Sequence, residues 1–110
     1  MKNLLTFYLA ILLASTNYAQ NIEVCGTCSI STIKEAIAHA KDFDTIVVKK
    51  GTYKEYDILV DKPLTIIGED YPVIDGEDQG EVITIHSDNV TIDGLFIINV
   101  GTSYTTDFAA

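Results

Sequence analysis

The segment Leu64-Thr65-Ile66-Ile67-Gly68 returns further along the chain as Val90-Thr91-Ile92-Asp93-Gly94. The apolar residues in front of it return as well, since Ile58 precedes the first copy as Ile83 precedes the second, with one extra turn position between the strands of the second copy. The spacing of the copies falls within the period of roughly 20 to 50 residues that is typical of stacked supersecondary units, in which each repeat contacts its neighbours. The sequence therefore predicts a repeat architecture.

The composition of each copy decides between two such architectures. A leucine-rich horseshoe needs repeated leucines and a helix or 3₁₀ turn in every unit, and the copies contain few leucines. Alternating Ile, Val and Thr between Gly, Asp or Asn corners are typical of a coil of short parallel strands, whose inward side chains stack from turn to turn. The predicted fold class is an all-β solenoid, a right-handed parallel β-helix.

Short β-branched runs bounded by turn-forming residues mark the strands of this solenoid. We predict strands over residues 45–48, 58–60, 64–67, 82–85, 90–92 and 96–98. Gly68 and Gly94 end the two copies, and we expect both to adopt a positive φ at equivalent corners, because glycine does so without a steric penalty.

One helix is predicted, directly before the first of these strands. Apolar residues at helical spacing within residues 32–41 share one face, and they are Ile33, Ala36, Ile37 and Ala40. Thr32 and Glu35 form a capping box, in which each side chain can accept a hydrogen bond from the other's backbone N–H. Because the first turn of a solenoid has unpaired backbone groups, we expect this short α-helix to cap the N-terminal end.

The N-terminus has the features of a secretory signal peptide. Lys2 precedes an apolar run over residues 4–14 and a more polar stretch over residues 15–20, with the small Ala19 before the expected cleavage site. The apolar run is shorter than the roughly 20 residues that cross a bilayer as a helix. We therefore expect residues 1–19 to be removed, leaving an exported protein with no membrane span.

Residues 20–110 are interpreted as the N-terminal part of a β-helix domain. A helix is available to close one end, but no matching element follows residue 99, and stable solenoids need about three or more repeats. We therefore expect the natural protein to continue beyond Ala110.

The net charge of the chain bears on whether it binds nucleic acid. The chain has 16 acidic and 7 basic residues, no arginine, and a formal net charge of −9. Loss of Lys2 with the signal peptide would make the net charge more negative by one. Such a surface repels phosphate backbones, so we expect no nucleic-acid partner.

The segment Cys25-Gly26-Thr27-Cys28 is the sharpest chemical motif. An exported compartment favours a disulfide between the two cysteines, with a structural or redox role. Alternatively, two thiolates can bind a metal, and soft sulfur ligands select Cu(I). Zinc would need two further ligands, and His39 and His86 could supplement the cysteines only if the fold brought them near.

Carboxylates cluster in and around the turns of the second half, at Asp70, Asp75, Glu77, Asp78 and Glu81. A β-helix enzyme could gather such side chains on one face for calcium binding or for acid and base chemistry. No histidine or basic partner accompanies them, and Asp-Gly is ordinary turn chemistry, so we favour a turn-forming role.

The opening of the mature chain resembles that of many right-handed β-helix proteins, among them pectin methylesterases and pectate lyases. The resemblance is carried by Ser31-Thr32-Ile33-Lys34-Glu35-Ala36-Ile37, Asp44-Thr45-Ile46-Val47-Val48 and Gly51-Thr52-Tyr53-Lys54-Glu55. This resemblance implies a right-handed parallel β-helix. It also implies an alternative function, that of a carbohydrate-active lyase, esterase or hydrolase. The usual Pro-Gly-Asp-Thr turn is replaced by Asp42-Phe43-Asp44-Thr45, where Asp42 and Asp44 can still stabilise a tight turn.

The second half resembles the NosD family more closely. The matching motifs are Lys62-Pro63-Leu64-Thr65-Ile66-Ile67-Gly68, Pro72-Val73-Ile74-Asp75-Gly76, Val90-Thr91-Ile92-Asp93-Gly94-Leu95 and Asn99-Val100-Gly101 through Asp107. This resemblance implies a non-enzymatic periplasmic accessory protein for the maturation of nitrous oxide reductase. It also implies a role in assembling that enzyme's copper–sulfur cluster together with an inner-membrane ABC transporter. Cys25 and Cys28 are then candidate handlers of copper or sulfur.

Overall fold

A computed structural model of the protein describes residues 18–101. The expected signal peptide lies outside this part of the chain, apart from Tyr18 and Ala19. The elements are β1 (Asn21–Val24), α1 (Ile33–His39), β2 (Thr45–Val48), β3 (Thr52–Lys54), β4 (Ile58–Val60), β5 (Thr65–Gly68), β6 (Val73–Asp75), β7 (Ile83–Ile85), β8 (Thr91–Asp93) and β9 (Phe96–Ile98).

The described strands form three parallel sheets, because each complete turn, β2-β3-β4 and β5-β6-β7, adds one strand to each sheet. Strand β1 precedes these turns, and β8 and β9 follow them. The strand orders are β1-β2-β5-β8, β3-β6-β9 and β4-β7. Every pairing is parallel, between strands that lie one turn apart. The predicted parallel β-helix with one short N-terminal helix is therefore confirmed.

The register of the strands confirms the sequence repeat. Thr65 pairs with Thr91, and Ile58 pairs with Ile83, which are the same matches that the two copies give in the sequence. Isoleucines at one position of the largest sheet stack through four turns, at Ile22, Ile46, Ile66 and Ile92. Ile46 and Ile66 are buried, and burial of such a side chain stabilises the fold by about 2 kcal/mol.

Three strands were missing from the sequence prediction, namely β1, β3 and β6. The omission of β1 changes the description of the cap, because this strand precedes the helix and pairs with β2. The helix packs against β1, β2 and β4, and buries Ile33, Ala36 and Ile37 over the end of the solenoid. The capping role is confirmed, but the first strand lies before the cap and not after it.

Helix α1 begins after Thr32, whose side chain accepts a hydrogen bond of 3.1 Å from the backbone N–H of Glu35. The reciprocal half of the predicted capping box does not form. The Glu35 carboxylate instead accepts a hydrogen bond of 3.2 Å from the Thr32 hydroxyl. The helix is shorter than the predicted segment because Thr32 and Ala40 are its non-helical caps.

Gly68 and Gly94 are both required at their corners, but for different reasons. Gly94 has a φ of +78°, as predicted. Gly68 does not have a positive φ, so the prediction was wrong for this residue. A Cβ at Gly68 would collide with the carbonyl group of Gly94 and would lie 2.7 Å from Cδ of Pro72. Close approach of two turns, and not backbone conformation, excludes a side chain there.

Phe43 adopts the conformation that glycine would take in the turn between α1 and β2. Its φ is +70° and its side chain is 65% exposed. Its backbone N–H donates to the carbonyl oxygen of Pro63, at 2.6 Å. The Asp44 carboxylate accepts a hydrogen bond of 2.9 Å from the backbone N–H of Lys41, which confirms the expected role of an aspartate in this turn.

The last described turn is less buried than the turns beneath it. Its exposed apolar residues are Phe96, Ile97 and Val100, and Ile85 is exposed on β7, the last described strand of its sheet. Within residues 18–101, no helix has the length and apolar character needed to cross a membrane.

Candidate functional site

The loop from Cys25 to Cys28 connects the end of β1 to the segment that leads into α1. The backbone N–H of Cys28 donates to the carbonyl oxygen of Cys25 at 3.2 Å, which closes a tight turn. The N–H of Cys25 donates to the carbonyl oxygen of Ile30 at 3.3 Å, so the chain doubles back on itself. The two cysteines form a disulfide, with their Cα atoms 5.0 Å apart.

The structure therefore shows a disulfide, which is one of the alternatives that the sequence left open. In this state both sulfurs are bonded to each other, and a Cu(I) site at Cys25 and Cys28 requires their reduction to two thiolates. Among the described residues, no three His, Cys, Asp or Glu side chains are grouped so that they could hold a metal ion. His39 and His86 are both exposed, as expected for solvent-facing histidines. A metal bound at reduced Cys25 and Cys28 would have two thiolate ligands, and two thiolates suit Cu(I) rather than zinc.

The strand before the loop is held by Tyr53. Val24, which directly precedes Cys25, is fully buried. The Tyr53 hydroxyl lies 2.7 Å from the carbonyl oxygen of Lys49 and 3.2 Å from that of Val24. Burial, together with the nearby charge of Glu55, raises the pKa of Tyr53 above its ordinary value, so this hydroxyl keeps its proton and remains a donor.

The helix after the loop is held by Glu55 and Lys62. The buried Glu55 carboxylate accepts hydrogen bonds from the backbone N–H groups of Ile33, at 2.7 Å, and Lys34, at 3.1 Å. At the opposite end, Nζ of Lys62 donates to the carbonyl oxygens of Ile37 and Ala40, both at 2.8 Å. Both ends of the helix therefore have charged partners of the sign that the helix dipole favours.

An open pocket of about 370 Å³ lies beside the disulfide loop. Gly26 and Thr32 line one part of it, and Lys50, Tyr53 and Glu55 line another. Because Gly26 lies between the two cysteines in the chain, the disulfide loop borders this pocket. We call this surface the loop pocket.

A short charge ladder runs across the strands next to the loop. Nζ of Lys49 lies 3.4 Å from a carboxylate oxygen of Glu23 and 3.0 Å from one of Glu69. The hydrogen bond that Lys49 donates to Glu69, together with the charge of Glu23, raises the pKa of Lys49 above its ordinary value. These side chains are exposed enough for solvent to screen the pairs, so we assign the ladder a minor structural role.

The carboxylates singled out in the sequence have turn-forming roles. Asp70, Glu77 and Asp78 all have a positive φ, between 54° and 58°, as corner residues do. The Asp75 carboxylate accepts hydrogen bonds of 2.9 Å from the Asn99 side-chain amide and from the backbone N–H of Glu77. These bonds hold the pKa of Asp75 below its ordinary value. Glu81 accepts a hydrogen bond of 2.7 Å from the Thr84 hydroxyl.

Tyr53 and Glu55 were not recognised from the sequence as parts of this site. Residues 52–55 alternate between exposed and buried positions, which places Tyr53 and Glu55 on the inner side of the turn. That alternation could have predicted the inward positions of both residues. A carboxylate at an inward position needs hydrogen-bond donors, because a buried charge without partners is unfavourable. The sequence did not indicate which groups donate to Glu55, since Ile33 lies 22 residues away in the chain.

Comparison of the chain with models of known protein families, with curated proteins and with solved structures found no match.

Proposed function

We propose that this chain is the N-terminal part of a periplasmic, non-enzymatic accessory protein that assists the maturation of nitrous oxide reductase, as NosD proteins do. The observation that carries the proposal is the order of the NosD-like motifs along the chain. The motifs at residues 62–68, 72–76 and 90–95 include strands β5, β6 and β8 respectively. Each motif thus spans a strand and the corner next to it.

The fold supports a role as a rigid docking partner. A parallel β-helix presents continuous outer sheet faces, and it changes shape little because each turn is hydrogen-bonded to the next. We propose that the partners are nitrous oxide reductase and an inner-membrane ABC transporter. The acidic surface would then serve contacts with basic protein surfaces and with cations.

In this role the protein would carry copper and pass it on, and would not retain it as a cofactor. The reduced Cys25 and Cys28 side chains would bind one Cu(I) ion through two thiolates, since soft sulfur ligands select this ion. Because the loop lies at the capped end of the solenoid, an ion bound there could be passed on without disturbing the stacked turns.

Maturation is tested by producing nitrous oxide reductase with its ABC transporter, in cells that carry or lack the complete gene for this protein. We expect reductase purified from cells without the gene to lack the copper–sulfur cluster, as measured by metal and sulfide content and by the visible spectrum. Equal cluster content in both preparations would contradict the proposal.

The role of the cysteines is tested separately, by anaerobic titration of the reduced, complete protein with Cu(I) against a competing chelator. We expect one tightly bound ion per chain, lost in the double variant Cys25→Ser, Cys28→Ser. If both proteins bind equally weakly, copper handling by these residues is excluded and partner docking remains.

The carbohydrate-active alternative is tested with the same complete protein. Release of sugar fragments or of methanol from a panel of acidic and neutral polysaccharides would favour an enzyme over an accessory protein.

A further inference from the structure

We propose that Cys25 and Cys28 form a redox-active disulfide, which an exported dithiol protein reduces and re-forms while the surrounding fold stays intact. This inference goes beyond the maturation role and does not depend on it. It assigns the loop a chemistry of its own, thiol–disulfide exchange.

The first argument is the small contribution of this disulfide to the fold. The bonded cysteines are separated by three positions in the chain. Because the constraint that a cross-link places on the unfolded chain grows with the length of the loop it closes, this disulfide constrains the unfolded chain less than one that closes a long loop. Stabilisation of the fold is therefore a weaker reason for this bond than for a long-range disulfide.

The second argument is that both flanks of the loop are anchored without it. On one side Val24 is buried, β1 is paired with β2, and Tyr53 is hydrogen-bonded to the end of the strand. On the other side Ile33 is fully buried and its N–H is bound by Glu55. Opening the disulfide frees only the few residues between these anchors, so reduction does not release the cap.

The third argument is access. Cys25 and Cys28 are partly exposed, and Gly26 and Thr27 between them are exposed. Gly26 also lines the loop pocket, which is open to solvent. Both cysteines of this sequence are in the bond, so reduction needs two electrons from a further donor, and we assign that role to a dithiol protein.

The proposed thiol–disulfide exchange consists of two displacements at sulfur. A thiolate of the partner attacks Sγ of Cys28, forming an intermolecular disulfide and breaking the Cys25–Cys28 bond, and Cys25 leaves as a thiolate that then takes up a proton. The second thiolate of the partner attacks its own bridged sulfur and releases Cys28, which is also protonated. Two electrons and two protons pass to the cysteine pair, and the partner becomes a disulfide.

Cys25 is the better leaving sulfur. Its Sγ lies 3.6 Å from Oγ1 of Thr27, within hydrogen-bond reach for a sulfur atom. The Thr27 hydroxyl can donate to the sulfur that becomes negative when the bond breaks, and Cys28 has no corresponding contact among the described side-chain hydrogen bonds.

The test uses the complete mature protein in native buffer without denaturant. It is equilibrated with increasing ratios of reduced to oxidised dithiothreitol, and in parallel with reduced thioredoxin as a dithiol protein. We expect both thiols to become labelled by a maleimide reagent, the circular dichroism spectrum and the protease resistance to stay unchanged, and oxidation to restore the starting material. Labelling that requires denaturant, or no reduction by thioredoxin, would overturn the proposal.

The double variant Cys25→Ser, Cys28→Ser provides an independent measurement. We expect it to fold and to unfold within a few degrees of the wild-type protein. A variant that fails to fold would show that the disulfide is a structural staple, which also overturns the proposal. Neither result bears on reductase maturation, which is measured by cluster content.

Discussion

The Glu55 carboxylate accepts a hydrogen bond of 2.7 Å from the backbone N–H of Ile33, 22 residues earlier in the chain. It joins the first full turn of the solenoid to the first residue of the helix that covers it. Because both groups are buried, the bond is shielded from water, and it is stronger than the same contact at the surface.

Replacing Glu55 should loosen the cap. We expect Glu55→Ala to lower the free energy of unfolding by about 2–3 kcal/mol, because one buried and one partly buried backbone donor lose a charged acceptor. Glu55→Gln should lower it by roughly half as much, since one oxygen can still accept. Urea unfolding followed by circular dichroism measures both. Glu23→Ala is the matched control, and an equal loss in that exposed position would contradict the assignment.

Asp44 should make the cap sensitive to acid. Hydrogen bonds from the backbone N–H of Gln20, at 2.8 Å, and of Lys41, at 2.9 Å, hold the pKa of this buried carboxyl below its ordinary value of 3.8. Its stabilisation is therefore complete above the unfolded pKa and is lost as the pH falls through the lower folded pKa.

Asp44→Asn tests this sign. We expect the variant to be less stable than wild type by about 1–3 kcal/mol at pH 7, and the difference to narrow as the pH is lowered to about 3. The pKa of Asp75 is also lowered in the folded protein, so the stability of the variant will still fall to some extent at acid pH. A difference between the two proteins that is constant with pH would show that the charge of Asp44 is not involved.

Gly68→Ala should destabilise the stack of turns. The new methyl group would collide with the backbone of Gly94, and a backbone of this kind cannot move without breaking the ladder between β5 and β8. We expect a loss of about 3 kcal/mol. Gly26→Ala is the control, since nothing lies within 4 Å of a Cβ at that position. Equal thermal unfolding midpoints for the two variants would contradict the close approach.

Phe43→Gly should stabilise the protein. A φ of +70° is strained for phenylalanine, and its exposed side chain contributes little packing. After the larger flexibility of glycine in the unfolded chain is subtracted, we expect a gain of about 0.5–1 kcal/mol. Phe43→Ala keeps the strained φ and should give no gain. A loss of stability in the glycine variant would show that the aromatic ring packs usefully.

Thr27→Val should slow reduction of the disulfide. The substitution keeps the shape of the side chain and removes the hydroxyl that faces Sγ of Cys25. We expect the rate of reduction by dithiothreitol to fall roughly three- to tenfold, while Thr27→Ser keeps the wild-type rate. Stopped samples labelled with a maleimide reagent give the rate. Equal rates for all three proteins would exclude Thr27 from the exchange.

The repeat was predictable from the two copies that the sequence shows, and it was missed where the turns differ in length. Thr45 pairs with Thr65 as Thr65 pairs with Thr91, but the turn that begins at β2 is clearly shorter than the turn that begins at β5. Most of the difference lies in the link after β3, which is shorter than the link after β6. A search at a fixed period therefore aligns β5 with β8 and overlooks β2. Strand β1 alternates polar and apolar residues, Asn21-Ile22-Glu23-Val24, but it was overlooked because it is short and is separated from the other strands by the helix.

The contacts of the site were harder to predict than the fold. Apolar alternation predicts a strand from the residues of that strand alone, whereas the Glu55–Ile33 bond depends on how two turns are placed relative to each other. The same applies to Gly68, whose need for glycine arises from the neighbouring turn. The CxxC motif was visible because its two cysteines are close in sequence, and its oxidation state required the structure.

Both groups that hold the ends of α1 come later in the chain than the helix itself. A helix of seven residues is not stable in isolation, so residues 33–39 remain unfolded when they first leave the ribosome. Glu55 arrives next, and Lys62 after it. The part of the molecule that is made first is thus completed late, when the first full turn has coiled beneath it, and until then the end of the solenoid stays open.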